Sequence, residues 1–318
     1  MQVIEADGVF QAGGVKALGL GGALLGFAER GVGRWVRVAG AGSGALVAAY
    51  LACGRDPYDT EQRLRSAPYA RFADHGPGGR VLGGAWNLIR RTGLARSGYV
   101  RRWLAEEFGG RTFGSLPREG ASRLKLLAAD VTRRQALILP DDLPQYRSPA
   151  GGPVDVDSFL IAEAVWLSMS VPYFFEPGVL IHHETGQASA IVGGGLVPAP
   201  DWIFDTARRD PQRPTFAIRV TETPRATQHR RRRRFAADIL QTALEAWDPR
   251  VESPSAGVRT CVVSAGEIGT TEFELTPLEQ TELVERGRRA ARHFLDTFDL
   301  DEYANAYGRR LPAGVHAY

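Results

Sequence analysis

Between Val9 and Gly54 the sequence alternates strand and helix signals around two glycine clusters, and this stretch constrains the fold more than any other. Val9 and Phe10 end a short strand-like run, and Ala12-Gly13-Gly14 makes a loop. From about Val15 to Arg30, apolar residues recur at three- and four-residue spacing, predicting a helix that Gly31 caps. Trp35 to Ala39 predicts a second strand, which enters the small-residue turn Gly40-Ala41-Gly42-Ser43-Gly44 and then a helix stopped by Gly54. Strand-loop-helix-strand-turn-helix is the grammar of a layered α/β sheet.

The rest of the chain continues in that style. Strands are predicted at Leu124–Ala129, Ala136–Leu139, Thr215–Val220 and Val258–Val263, with mixed helix and loop between residues 55 and 120. The capping box Thr276-Pro277-Leu278-Glu279 opens a last helix that runs to about Phe298. No repeat or long linker divides the 318 residues, so one domain over 1–300 with a C-terminal tail at 301–318 is expected.

Composition removes several functional classes. At 44% hydrophobic and 24% charged the chain is too apolar to be disordered. Its 39 Lys plus Arg against 36 Asp plus Glu leave +3, too little for a nucleic-acid surface. The one charge block, Arg230, Arg231, Arg232, Arg233 and Arg234, reads as a solvated loop before a helix over Phe235–Trp247, with peripheral contact to an anionic membrane as the functional reading. Two cysteines, Cys53 and Cys261, fit a reduced cytoplasmic protein. The first residues carry no secretion-signal pattern, and no apolar run reaches the ~18 residues that a membrane span needs.

The chemistry concentrates in the two glycine clusters. In a nucleophile elbow, Gly-x-Ser-x-Gly, small residues two before and two after the serine allow a sharp strand-to-helix turn that lifts the hydroxyl clear of the sheet. Gly40 and Gly44 supply the flanks, and the central residue is Gly42. Gly13, Gly14, Val15 and Lys16, at a helix start about thirty residues upstream, can present backbone N–H groups and a positive helix end to an oxyanion.

These motifs, in this order, resemble the patatin-like phospholipases, a family of lipid acyl hydrolases, from Asp7 to about Phe298. The oxyanion loop matches Ala12 to Ala17 and the elbow matches Gly40 to Gly44. The mid-sheet segment matches Leu124 to Asp130 with Leu137 to Leu143, and Ser168 to Pro177 is similar to the loop ahead of the last catalytic strand. The resemblance implies a three-layer α/β/α fold with a mainly parallel central sheet, a Ser-Asp dyad and no cofactor or metal. The family's elbow serine falls on Gly42, and the aspartate of its Asp-Gly-Gly motif falls on Gly193 of Gly193-Gly194-Gly195. Both indispensable groups are glycine, and removing either dyad member alone costs orders of magnitude in rate. The expectation is a catalytically impaired protein that binds a lipid, acyl or anionic ligand in a degenerate cleft. If only the dyad has decayed, Gly42→Ser with Gly193→Asp is expected to restore some esterase activity.

The alternative is an active phospholipase A or esterase using Ser43 as nucleophile. The register with the family places Ser43 one step into the helix, where its N–H serves the oxyanion hole and its side chain caps the helix start. Asp201 and Asp130 are the carboxylates weighed as a replacement base, against a loop cap and a structural hydrogen bonder respectively. His182, His183 and Glu184 lack a spaced third or fourth partner, so no metal site is expected. Trp166, Tyr173, Phe174 and Phe175 read as core and cleft wall.

Overall fold

In the computed structural model, which describes residues 4–72, 93–95, 97–117, 123–147, 152–193, 196–205, 212–222, 254–269 and 272–308, the early strands lie at the centre of one sheet. Its parallel part runs in the order β11 (Thr260–Ser264), β10 (Thr215–Thr221), β1 (Ile4–Ala12), β2 (Val32–Gly42), β4 (Leu124–Asp130). β4 also pairs antiparallel with β5 (Gln135–Leu139) and with β9 (Ala188–Val192), from which β8 (Gly178–His182) and β6 (Tyr146–Arg147) extend the sheet outward. A separate parallel pair joins β3 (Gly93–Ala95) to β7 (Tyr173–Phe175). The α/β architecture that the resemblance implies is thus present, with five parallel strands at its heart and an antiparallel extension that makes the sheet mixed. The link from His182 to Ala188 is too short for a crossover helix and turns through Gly186 at φ 66, so these strands must pair antiparallel.

The helices are α1 (Ala17–Glu29), α2 (Gly44–Ala52), α3 (Pro57–Ser66), α4 (Tyr69–Phe72), α5 (Gly98–Phe108), α6 (Ile161–Met169), α7 (Pro254–Arg259), α8 (Pro277–Thr297) and α9 (Leu300–Gly308). α7 occupies the start of what reads in sequence as the strand Val258–Val263. Alternation along β1, β2 and β4 sends Phe10, Val38 and Leu126 into the main core with α1, α2, α6 and α8. Val9, Ala39, Ala41 and Leu127 go to the opposite face, under Ala199 and Phe204. α1 and α2 carry almost no polar residues and are nearly wholly buried, as their sequences require.

α1 and α8 approach backbone to backbone. A Cβ added at Gly22 would lie 2.7 Å from the Val284 carbonyl carbon and closer still to its oxygen, and one at Gly287 would lie 2.8 Å from Ala23 N. The three- and four-residue spacing of Gly19, Gly22 and Gly26 puts them on one stripe, facing Gly287 and Ala291. At the far end Glu29 accepts from Arg288 Nε at 2.6 Å and Arg292 Nε at 2.5 Å, and Arg30 pairs with Asp296 at 2.8 Å. The Thr276–Glu279 capping box forms as the sequence predicts.

The expected tail from 301 meets a helix. α9 includes Tyr303 and Tyr307, which are buried and stack at 5.4 and 5.8 Å over the Arg259 guanidinium. That apolar anchoring extends the fold to at least Gly308.

Candidate active site

β2 ends at the turn that the elbow pattern marks, and the turn has the elbow's geometry. Gly42 has φ 60, the left-handed region that a non-glycine residue enters only with strain. Its neighbours are fixed by space: a Cβ on Gly40 would lie 2.6 Å from Ala45 N, and one on Gly44 would lie 2.9 Å from Gln11 N and closer to Phe10 O. β2, β1 and the first turn of α2 can come this close only with glycine at both positions. The residue of this turn with left-handed backbone is therefore Gly42, while Ser43 is right-handed helical.

Ser43 does not cap α2. Its backbone is already helical, with φ −70 and ψ −13, and its side chain makes no cap hydrogen bond. Its N–H donates to the Ala12 carbonyl at 2.9 Å, so it is unavailable to an oxyanion. Both results correct the sequence expectation. The cause is tertiary: Ala12 pairs with Gly42 at the end of the β1–β2 ladder, which brings its carbonyl to the Ser43 amide. Ser43 Oγ is buried and has no hydrogen-bond partner among the described residues. No described carboxylate lies within reach to activate it.

The glycine loop follows β1. Gly13 is extended, and Gly14 at φ 53 opens the short 3-10 turn Gly14–Lys16 that leads into α1. Gly13 and Gly14 are half-buried while Val15 and Lys16 are buried. N–H groups in the first turn of a helix have no intrahelical acceptor, so this loop and the start of α2 present two positive helix ends beside Gly42. The Lys16 ammonium lies 3.5 Å from the Glu222 carboxylate, just past the end of β10. The sequence gives no sign of that pairing, because Glu222 lies two hundred residues downstream and beside no motif.

Gly193 directly follows β9, which lies beside β4 and two strands from the elbow, and it is buried. A Cβ added there would lie 2.8 Å from the Leu167 carbonyl oxygen and far closer to the Ser168 carbonyl. Two hydrogen bonds hold this packing: Gly193 N–H donates to Ser170 O at 2.9 Å, and the Ser168 hydroxyl donates to Leu127 O at 2.6 Å. The end of α6 therefore fills the space that a side chain at 193 would need. Gly194 and Gly195 lie outside the described residues, as do Arg230 to Arg234 and the helix expected at Phe235–Trp247.

The carboxylates weighed as a replacement base are both engaged in structure. Asp130 is buried and accepts from Arg133 N–H at 2.9 Å and the Tyr146 hydroxyl at 2.8 Å; burial, then Asp130 itself, raises the Tyr146 pKa. Asp201 lies 3.4 Å from the fully buried Arg259, which also donates to Asp205 at 2.9 Å. His182 Nδ1 is 3.3 Å from Thr185 N, and among the described residues no group of three or more His, Cys, Asp or Glu could hold a metal ion. Trp166 and Phe175 are core, stacked edge-on at 5.3 Å, whereas Tyr173 is 62% exposed at φ 62. Burial pushes the Cys261 thiol up to about 12 and also raises that of Cys53, so neither is a ready nucleophile. No described helix is long and apolar enough to cross a membrane.

A glycine loop at one helix start, an elbow at the next and a central sheet between helical layers define the class: an α/β protein with the frame of a serine acyl hydrolase. A family model for patatin-like phospholipases matches residues 8–201. The chain belongs to that family. It is 32% identical over 295 residues to the uncharacterized protein YqhO of Bacillus subtilis (strain 168), covering 91% of this chain and 97% of YqhO. VipD from Legionella pneumophila shares the fold with a TM-score of 0.55 at 16% identity, over 92% of this chain and 67% of VipD. Full-length ExoU, solved with SpcU from the type III secretion system of Pseudomonas aeruginosa, aligns at a TM-score of 0.48 and 16% identity, over 93% of this chain and 53% of that one.

Proposed function

We propose that this protein is a catalytically silent patatin-like phospholipase that binds the acyl portion of a lipid in the former active-site cleft without turning it over. The observation that carries the reading is the left-handed backbone at Gly42, φ 60. It supports the reading, made from the sequence register, that the family's nucleophile position falls on Gly42, which carries no side chain. Glycine adopts this backbone without strain, whereas serine there stores ~1 kcal/mol or more, so the replacement favours stability while removing the attacking group. Gly193 at the base position deepens the loss, because a base cannot act from a residue without a side chain.

Binding is supported by what remains. The glycine loop and the start of α2 follow strand ends that pair at Ala12 and Gly42, so two helix starts lie side by side there, and Gly13 and Gly14 are half-buried. Such a pair of helix ends attracts a carbonyl, carboxylate or phosphate oxygen. The test is native mass spectrometry with oleate and with a lysophospholipid. A 1:1 complex with either acyl probe is expected, weakened on the order of 10-fold or more by Gly13→Trp, which blocks the loop where the oxygen would be held. Absence of a complex with both probes, or one indifferent to Gly13→Trp, overturns the binding reading.

A further inference from the structure

The elbow stands at the start of α2, and a second concave site stands at its other end. Nine helical residues at ~1.5 Å each put the two a helix length apart, roughly 13 Å. A cavity of about 370 Å³ opens there, where the end of α2, the start of α3 and the end of α5 meet. Its walls include Cys53, Arg55, Asp56, Asp59, Glu107 and Arg111.

The walls are held from behind. Gly54 at φ 85 lets the chain pass from α2 into α3 through four residues. That turn brings the Arg55 guanidinium to 5.4 Å from the Tyr50 ring centre, where it donates to Asp59 at 2.7 Å. The Tyr50 hydroxyl on α2 and Arg63 on α3 both donate to Glu107 Oε2 on α5, at 3.0 and 2.9 Å, so one carboxylate oxygen ties the three helices together. Burial raises the Cys53 pKa against the pull of Arg111 and Arg55, which places both guanidiniums near that thiol.

Most of these charges are matched: Arg55 by Asp59, and Glu107 by Arg63. Two are not. Arg111 donates to the Cys53 carbonyl at 2.8 Å, a neutral partner, and Asp56 accepts from the Asp59 N–H at 2.8 Å as the N-cap of α3. Among the described residues neither forms an ion pair, with the other or with any third group, although both line one cavity. A guanidinium carries more donors and a carboxylate more acceptor sites than these contacts use, and Glu107 Oε1 also lacks a partner among the described residues. A simple anion would satisfy Arg111 and leave Asp56 unmatched, and a simple cation the reverse. A ligand that carries both signs satisfies both.

We propose that this cavity is a second binding site, for a small zwitterion. The anionic group, a carboxylate or a phosphate, sits on the Arg111 fork, whose planar array of donors fits such oxygens. The protonated amine sits on Asp56, with Glu107 Oε1 beside it. The volume lies at the lower end of the roughly 300–1,000 Å³ of small-molecule sites, which suits a free amino acid or an aminoalkyl phosphate head group and not a whole phospholipid. Occupancy of the elbow plays no part in this site.

The test is isothermal titration calorimetry of the full chain with β-alanine and with phosphoethanolamine, against inorganic phosphate and ethanolamine as single-charge controls. Saturable binding of at least one zwitterion is expected, tighter than either control on the order of 10-fold or more. Binding of β-alanine alone supports the site as one for a free amino acid, and binding of phosphoethanolamine as one for a head group. Arg111→Gln and Asp56→Asn should each weaken it on the order of 10-fold or more. Asparagine still caps a helix, so the loss in Asp56→Asn reports the missing charge and not a frayed α3. Arg101→Gln, on α5 but outside the cavity and paired with Glu163, should change nothing. In the unaltered protein the bound zwitterion should also slow alkylation of Cys53 by iodoacetamide, a reading that does not depend on any variant folding. No binding of either zwitterion, binding no tighter than that of the controls, indifference to either charge-removing variant, or unprotected Cys53 overturns the proposal.

Discussion

Restoring the family's two catalytic side chains, by Gly42→Ser with Gly193→Asp, should leave the protein without esterase activity on short acyl esters. For the serine the backbone is already set, at φ 60 with Gly40 and Gly44 clearing the turn. The aspartate has no room. Its Cβ falls 2.8 Å from Leu167 O and within bonding range of the Ser168 carbonyl, and these are backbone atoms that no rotamer change can move. Relief requires the end of α6 or the end of β9 to shift by about an ångström. That shift must break Gly193 N–H to Ser170 O, at 2.9 Å, or strain Ser168 Oγ–H to Leu127 O, at 2.6 Å. A displacement of ~1 Å in a catalytic pair costs on the order of 100-fold in rate by itself, so the double variant should turn over no faster than Gly42→Ser alone. Hydrolysis clearly above that single variant would mean that only two side chains separate this chain from an active enzyme, as the sequence alone suggests.

The second large effect concerns stability. Gly22→Ala should lower it by about 3 kcal/mol or more, the upper end for inserting a methyl into a close-packed contact. The new Cβ meets the Val284 carbonyl group, its carbon at 2.7 Å, so α8 must retreat from α1 along a contact that includes Gly19, Gly26, Gly287 and Ala291. With ~2–4 °C of melting temperature per kcal/mol for a domain of about this size, a drop of roughly 6 °C or more is expected in a thermal melt. Gly257→Ala is the matched control: a Cβ there meets nothing within 4 Å, and its backbone is ordinary helix, so alanine should be neutral or stabilising by up to ~1 kcal/mol. Equal effects of the two substitutions would refute close packing at the α1–α8 contact.

What could be read from the sequence was local. The elbow, the helix after the glycine loop and the Thr276 capping box each depend on residues within a few positions of one another, and each forms as the pattern predicts. What could not be read depends on contacts between distant segments. Ser43 is the residue type of a helix cap, yet the Ala12 carbonyl, about thirty residues earlier, takes its N–H, and its hydroxyl has no partner among the described residues. Gly193 reads as a simple deletion of a carboxylate, but the carbonyl of Ser168, on another element, occupies the space. Residues 301 onward read as a tail because α9 shows its role only through Tyr303 and Tyr307 stacked on Arg259, a residue more than forty positions earlier. The antiparallel outer strands share this character, since a short link decides their direction and their own alternation does not.

The central claim, that no group in this protein attacks an acyl carbonyl, is tested most directly by incubating it with a fluorophosphonate and measuring its intact mass. The Ser43 hydroxyl is buried and without a base among the described residues, and Gly42 carries no side chain. The protein should therefore keep its unmodified mass under conditions that label an active serine hydrolase. A stoichiometric adduct mapped to Ser43 would contradict the account.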